Sequence, residues 1–264
     1  MRLSQGQLNL LERCPRQFQH TYLDQLSSPA SPEQQERQIG GSRFHLLMQQ
    51  RELGLPIKAL VQEDAQLQRW MTAFAHAAPE ILMPNPNSEF RESEHCRTLQ
   101  VQDYLLTVIY DLLIADESSA QILDWKTYPK PQNRRWIEQN WQTLLYLYVL
   151  AETSDYLPEQ ISMTYWFVQS EAQPQSLKFT YNNTQHQKTG QKLNQLLAQL
   201  TEWLQNSEQE PFPQVAAASG RCDSCQCAVR CQRDGYNKDY LQEEEAIATE
   251  GLLNLATIQE VTIK

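Results

Sequence analysis

The most constraining feature of this chain is a pair of opposite charges set inside an otherwise apolar run, Ile122-Leu123-Asp124-Trp125-Lys126-Thr127. Burying an isolated charge costs far more than an apolar side chain gains, so these groups need partners supplied by the fold. The upstream stretch is also apolar and partly β-branched, with Val101, Leu105, Leu106, Val108, Ile109, Leu112 and Ile114, and it contains the further acid Asp111. The segment Ala115-Asp116-Glu117-Ser118-Ser119 interrupts it with turn-forming residues, which predicts a hairpin. Period-two alternation places Asp124 and Lys126 on one face of their strand, and the hairpin can bring Asp111 beside them. Two carboxylates and an ammonium suit a Mg²⁺ or Mn²⁺ site that activates water against a phosphodiester. A bare Asp-x-Lys is ordinarily a structural ion pair, so the assignment depends on context.

The rest of the chain predicts helices around a small sheet. Ser4 and Gln7 form a capping box for a first helix that should end or bend at Cys14-Pro15. Ser27 to Pro32 reads as a loop. Gly40-Gly41 is expected to break the chain before a helix carrying Phe44, His45, Leu47 and Met48. Residues from about Ala59 to Ala78 read as helical, closed by Pro79, Pro84 and Pro86, so 46–88 is a helical insertion. A helix over Trp136 to Glu152 precedes strands at Ile161 to Val168 and Leu177 to Tyr181. Thr184 caps a last helix with the apolar stripe Leu193, Leu196, Leu197, Leu200, Trp203 and Leu204. The expected class is α/β in the mixed α+β sense, a small central mixed sheet flanked by helices. A single domain over 1–238 followed by an acidic tail over 239–264 is the expected organisation.

Two features extend the Asp-Lys reading. Gln142 and Tyr146 lie four apart on a predicted helix and share a face. Gly41-Ser42-Arg43-Phe44-His45 puts an imidazole near a glycine break, where it could complete a coordination sphere. Glu89, Glu92 and Glu94 precede the hairpin, where one could supply a further acidic group, but none enters the assignment.

The ordered set Gly41-x3-His45, Asp111, Asp124-x-Lys126 and Gln142-x3-Tyr146 resembles the PD-(D/E)xK nuclease superfamily. The likeness is to its RecB-like branch, with the CRISPR-associated exonucleases and the AddB nuclease domain, and runs from residue 4 to about 238. It implies a restriction-endonuclease-like core in which His45, Asp111 and Asp124 bind the metal and Lys126 is the catalytic lysine. Gln142 and Tyr146 would support the site or contact DNA. Tyr110 stands where the family commonly has glycine and would narrow the approach to the metal; Asp124 replaces a frequent glutamate.

Six cysteines are present, four of them between Cys222 and Cys231. With no export signal, such crowding favours metal over disulfides. Cys222, Cys225 and Cys231 form Cys-x2-Cys-x5-Cys and need a fourth ligand. The RecB-like resemblance supplies Cys14, implying a [4Fe-4S] cluster that joins the N- and C-terminal segments; structural Zn²⁺ remains open, because all-thiolate ligation suits both. Cys96 and Cys227 are spare in this reading.

The formal net charge of -10 argues against a polyanionic partner until its distribution is considered. The stretch from Asp239 to Lys264 accounts for half the excess, whereas Lys126, Lys130, Arg134 and Arg135 occur with no intervening acid. No run of about 18 apolar residues occurs, so no membrane association is expected and the location is read as cytoplasmic. The resemblance implies a DNA exonuclease acting on single-stranded ends, in repair, recombination or CRISPR-related processing. A catalytically weak nucleic-acid-binding or scaffolding module is the alternative, and the acidic tail could dock a protein partner.

Overall fold

In a computed structural model of the protein, the structure describes residues 1–26, 30–83, 89–169 and 173–233. The tail over 239–264, the boundary at 238 and the expected stops at Pro84 and Pro86 lie outside the described residues. The chain divides into two compact units: Met1–Gln34, Gln100–Leu106 and Gln191–Lys264 form one, and Gln35–Leu99 and Thr107–Gly190 form the other. Among the described residues one mixed sheet has the order β1-β3-β4-β5-β6, with β2 also on β3. The strands are β1 (Arg2–Leu3), β2 (Phe90–Val101), β3 (Tyr104–Ala115), β4 (Ala120–Lys126), β5 (Ile161–Phe167) and β6 (Gln175–Thr180). No helix of the described residues is long and apolar enough to cross a membrane.

In the larger unit, β3 and β4 form the expected antiparallel hairpin, with Leu112 opposite Leu123 and Ala115 opposite Ala120. Asp116 closes the turn, its carboxylate accepting from the backbone N–H groups of Ser118 and Ser119 at 2.8 Å. β5 runs parallel to β4, from Ala120 opposite Ile161 to Lys126 opposite Phe167, and β6 adds antiparallel at the edge. Strand β2 begins at Phe90, nine residues before the alternation anticipated from Leu99, because charged residues obscure its period.

The Gly40-Gly41 break does not occur. α3 (Pro32–Glu52) passes through both glycines. A Cβ added at Gly41 would stand 3.0 Å from Thr127 Oγ1, so the glycine permits close approach of the helix to the residue after Lys126. The insertion is helical but interrupted: α4 (Lys58–Glu63) and α5 (Ala65–Ala77) are separated by Asp64, which caps α5 by accepting from Gln66 and Leu67 N–H, and α6 (Pro79–Leu82) follows. Phe44, Leu47, Trp70, Met71 and Phe74 pack on Leu112, Leu123 and Trp125 as one core cluster. Phe74 meets Trp125 and Trp166 edge-on, each with ring centroids 5.3 Å apart, contacts worth about 1 kcal/mol apiece beyond area burial.

The single helix expected over Trp136 to Glu152 is two, α7 (Arg134–Gln139) and α8 (Trp141–Glu152). Asn140 ends the first and caps the second, accepting from Gln142 N–H at 2.9 Å. The final helix, α9 (Asn183–Asn206), is capped by Asn182, which accepts from Gln185 N–H at 2.9 Å, rather than by Thr184.

In the smaller unit, β1 pairs parallel to Leu105 and Leu106. The capping box at Ser4 forms, with Gln7 accepting from Ser4 N–H at 2.8 Å, and α1 (Gln5–Arg13) ends at Cys14 as expected. Pro15 then starts α2 (Pro15–Phe18), which continues into a π turn over Gln19–Leu23. Leu193, Leu197 and Leu200 of α9 are fully buried. Phe18 stacks on Phe212 with centroids 6.4 Å apart, and Arg16 donates to the Phe212 carbonyl.

Candidate active site

Asp111 and Asp124 lie one residue beyond Leu112 and Leu123, the pair nearest them in the hairpin ladder. The ladder bonds stop where the acids begin, so Asp111 Oδ2 takes up the Trp125 backbone N–H at 2.6 Å. Alternation sends Leu123 and Trp125 to the helical core and Asp124 and Lys126 to the opposite face. There Lys126 Nζ lies 2.8 Å from Asp124 Oδ1 and donates to Gln142 Oε1 at 3.0 Å, while Gln142 Nε2 donates to Asp124 Oδ2 at 2.6 Å. The three side chains form a closed ring, and Lys126 also lies 5.6 Å from the centre of the Tyr165 ring.

His45 enters from α3. A carbonyl can only accept, so the 3.0 Å contact between His45 Nε2 and the Trp125 carbonyl fixes the proton on Nε2. Nδ1 is thereby turned to Asp111 Oδ1, 3.3 Å away. Among the described residues, His45, Glu94 and Asp111 each present a ligand atom within 4.8 Å of the others. One imidazole and two carboxylates gathered in this way are a donor set that suits a divalent cation.

Glu94 carries no distinguishing signal in the sequence, because it is one of two glutamates in a polar strand, with Glu89 just before them. Its backbone is left-handed, at φ 51, within β2, and it is half-buried out of step with the alternation of its neighbours. A positive φ at a non-glycine residue is an uncommon conformation that tends to accompany function. No pattern in the sequence shows it.

Electrostatics follow from crowding acids away from water. Burial, and then the neighbouring Asp111, push Glu94 from 4.5 up to about 7. Burial also raises Asp124, to about 6, against the opposing pull of Lys126. For Lys126 burial favours the neutral amine, yet Asp124 outweighs it and holds the pKa above the ordinary value. Likewise burial opposes the charged imidazole, but Asp111 lifts His45 to about 9. A carboxylate near neutrality beside a second one is what a divalent cation would relieve.

Of the sequence-derived residues, His45, Asp111, Asp124, Lys126 and Gln142 converge directly. Tyr146 lies on the same face of α8, buried, with a hydrogen bond to Gln142. Asp124 Oδ2 accepts from Gln142, whereas Oδ1 faces Lys126 as an ion pair and is buried without a hydrogen bond; among the described residues Glu94, not Asp124, stands in the three-ligand group. Tyr110 is directed into α8: its hydroxyl donates to the Tyr146 carbonyl at 3.0 Å and its ring meets Tyr146 edge-on.

In the smaller unit Cys14, Cys222, Cys225 and Cys231 line one cavity. Cys227 is buried without lining it, its backbone N–H donating to Cys225 Sγ at 3.4 Å, and Cys96 is exposed. Burial and the adjacent Cys225 raise the Cys222 thiol; burial, Cys225 and Cys14 raise Cys231. Thiols so grouped resist ionising together unless a cation binds them, a donor set fitting a metal centre.

Among solved structures, a presumed exonuclease from Eubacterium rectale aligns with a TM-score of 0.52 at 10% identity, covering 86% of each chain, a likeness of fold alone. A second structure, SSO0001, aligns at 16% identity over 87% of this chain and 85% of its own, with a TM-score of 0.40 that adds nothing to the fold argument. No curated protein matches significantly. A family profile for the PD-(D/E)XK nuclease superfamily matches residues 2–232, and the chain, with its mixed sheet and restriction-endonuclease-like core, belongs to that superfamily.

Proposed function

We propose that this nuclease is a Mg²⁺- or Mn²⁺-dependent DNA exonuclease of the RecB-like branch that works on single-stranded ends. The observation that carries this reading is the meeting of His45, Glu94 and Asp111 ligand atoms within 4.8 Å, beside the Asp124-Lys126 ion pair. His45, Glu94 and Asp111 would hold the ion, and Asp124 borders the same site from β4. A bound divalent ion supplies Lewis acidity and a water of lowered pKa. The chain's own residues do the remainder. Lys126 is held cationic by Asp124, so it counters charge on the phosphodiester instead of starting as the base. Gln142 fixes the Asp124 and Lys126 head groups, and the Trp125 carbonyl fixes the tautomer of His45. The same convergence speaks against a merely scaffolding role, since buried acids without chemistry to perform are a cost to the fold.

The cysteine cavity is assigned to a [4Fe-4S] cluster. Its four cysteines are the ones that the RecB-like likeness gives to a shared cluster, and all four line one cavity. A multi-iron centre held there would staple the first helix to Cys222–Cys231. The proposed setting is cytoplasmic DNA processing in repair, recombination or CRISPR-related work.

The deciding assay is end-labelled single-stranded DNA with Mn²⁺ or Mg²⁺, comparing wild type with Asp124→Ala and Lys126→Ala. Stepwise shortening by the wild type alone supports the assignment. Equal cleavage by all three proteins would remove it.

A further inference from the structure

The chain between β4 and α8 leaves the candidate site at Lys126 and returns to it at Gln142, and the Lys126-Gln142 hydrogen bond closes this excursion at its base. The excursion carries Lys130, Arg134, Arg135 and Trp136, with Glu138 as its one acid. It is a built element. Ile137 is buried, Asn133 accepts from Trp136 N–H at 3.2 Å, and the backbone carbonyls of edge strand β6 accept from Lys130 at Ser176 and from Arg134 at Lys178. Arg134 also lies 4.5 Å over the Phe179 ring, which fixes it as a structural anchor. None of the three cations is paired with a carboxylate among the described residues. Carbonyl acceptors leave a positive charge uncompensated, so a cationic strip persists on a chain of net charge -10. In its midst Trp136 is 38% exposed, which leaves part of a large aromatic surface beside the cations.

We propose that this excursion is a strand guide: Trp136 stacks on an unpaired base while Lys130 and Arg135 take backbone phosphates of a single-stranded nucleic acid leading to Lys126. The proposal rests on the nuclease reading above and names how that site selects its substrate. Stacking requires a base face that a duplex hides, and phosphates require cations without competing acids. A protein-docking surface would set its exposed aromatic among other exposed apolar side chains; here Trp136 follows Arg134 and Arg135, and the apolar residue after it, Ile137, is buried.

The test is fluorescence anisotropy of full-length protein without divalent metal, using labelled oligothymidine and a duplex of equal length. Trp136→Ala should weaken oligothymidine binding about tenfold and leave duplex binding within about twofold, and Trp136→Phe should restore most of the loss. Arg135→Glu should weaken both and flatten the salt dependence by about one phosphate contact. With Mn²⁺, Trp136→Ala should raise KM and leave the rate at saturating DNA unchanged. An unchanged oligothymidine affinity in folded Trp136→Ala, or an equal loss on duplex, overturns the guide. So does intact DNA binding with loss of a co-purifying protein. A wild type that cleaves while Trp136→Ala binds normally sinks the guide and spares the nuclease; a wild type that neither binds nor cleaves sinks both.

Discussion

Glu94→Gln should stabilise the metal-free protein at pH 8 while abolishing most of its response to Mn²⁺. The folded carboxyl, raised from 4.5 to about 7 first by burial and then by Asp111, binds more protons than the unfolded one between those values. Metal-free stability therefore falls as pH rises through that window, and the penalty is complete above pH 7. A rise of that size corresponds to about 3 kcal/mol, and partial exposure of the carboxyl reduces it to about 2 kcal/mol. Glutamine keeps the shape without the charge. For a unit of this size the gain is about 4 to 8 °C in Tm at pH 8 and close to nothing at pH 4.5. With Mn²⁺ the order reverses, because the wild type binds the ion through its ionised carboxylate and the variant has lost that ligand. Thermal unfolding at the two pH values, with and without Mn²⁺, measures all four corners. A variant destabilised at pH 8 without metal would refute the crowding argument, and one that keeps the full Mn²⁺ shift would refute the place of Glu94 in the site.

Other perturbations separate the remaining parts. Lys126→Met should cut DNA cleavage by at least about a hundredfold and lower Tm, because Asp124 is left buried without its cation; the Mn²⁺-induced stabilisation should persist. Gly41→Ala should slow cleavage even though alanine favours a helix, since its Cβ meets Thr127 Oγ1 at 3.0 Å beside Lys126; kinetics with unchanged helical circular dichroism would check this. Cys14→Ser should bleach the brown colour and lower bound iron, and Cys227→Ser should leave both intact, as read by absorbance and metal analysis. A colourless wild type holding stoichiometric zinc would reverse the cluster assignment.

The sequence by itself determined the parts whose signals are local. The alternation of Leu112, Leu123 and Trp125 against Asp111, Asp124 and Lys126 specified a hairpin with charge on one face, and the ladder bears it out. Ser4 and Gln7 announced the first helix, and Cys14-Pro15 its end. Local signals misled where a residue serves a distant neighbour: Gly41 reads as a breaker but exists for Thr127, and Asn140 looks like an ordinary helix residue until its side chain is seen capping Gln142 N–H. What only the tertiary structure decided is which donor atoms meet. Glu94 joins His45 and Asp111 through a left-handed kink in β2, a conformation that leaves no trace in residue spacing. Burial then sets the charges of the gathered groups, because the cost of removing a carboxylate from water depends on the whole fold around it.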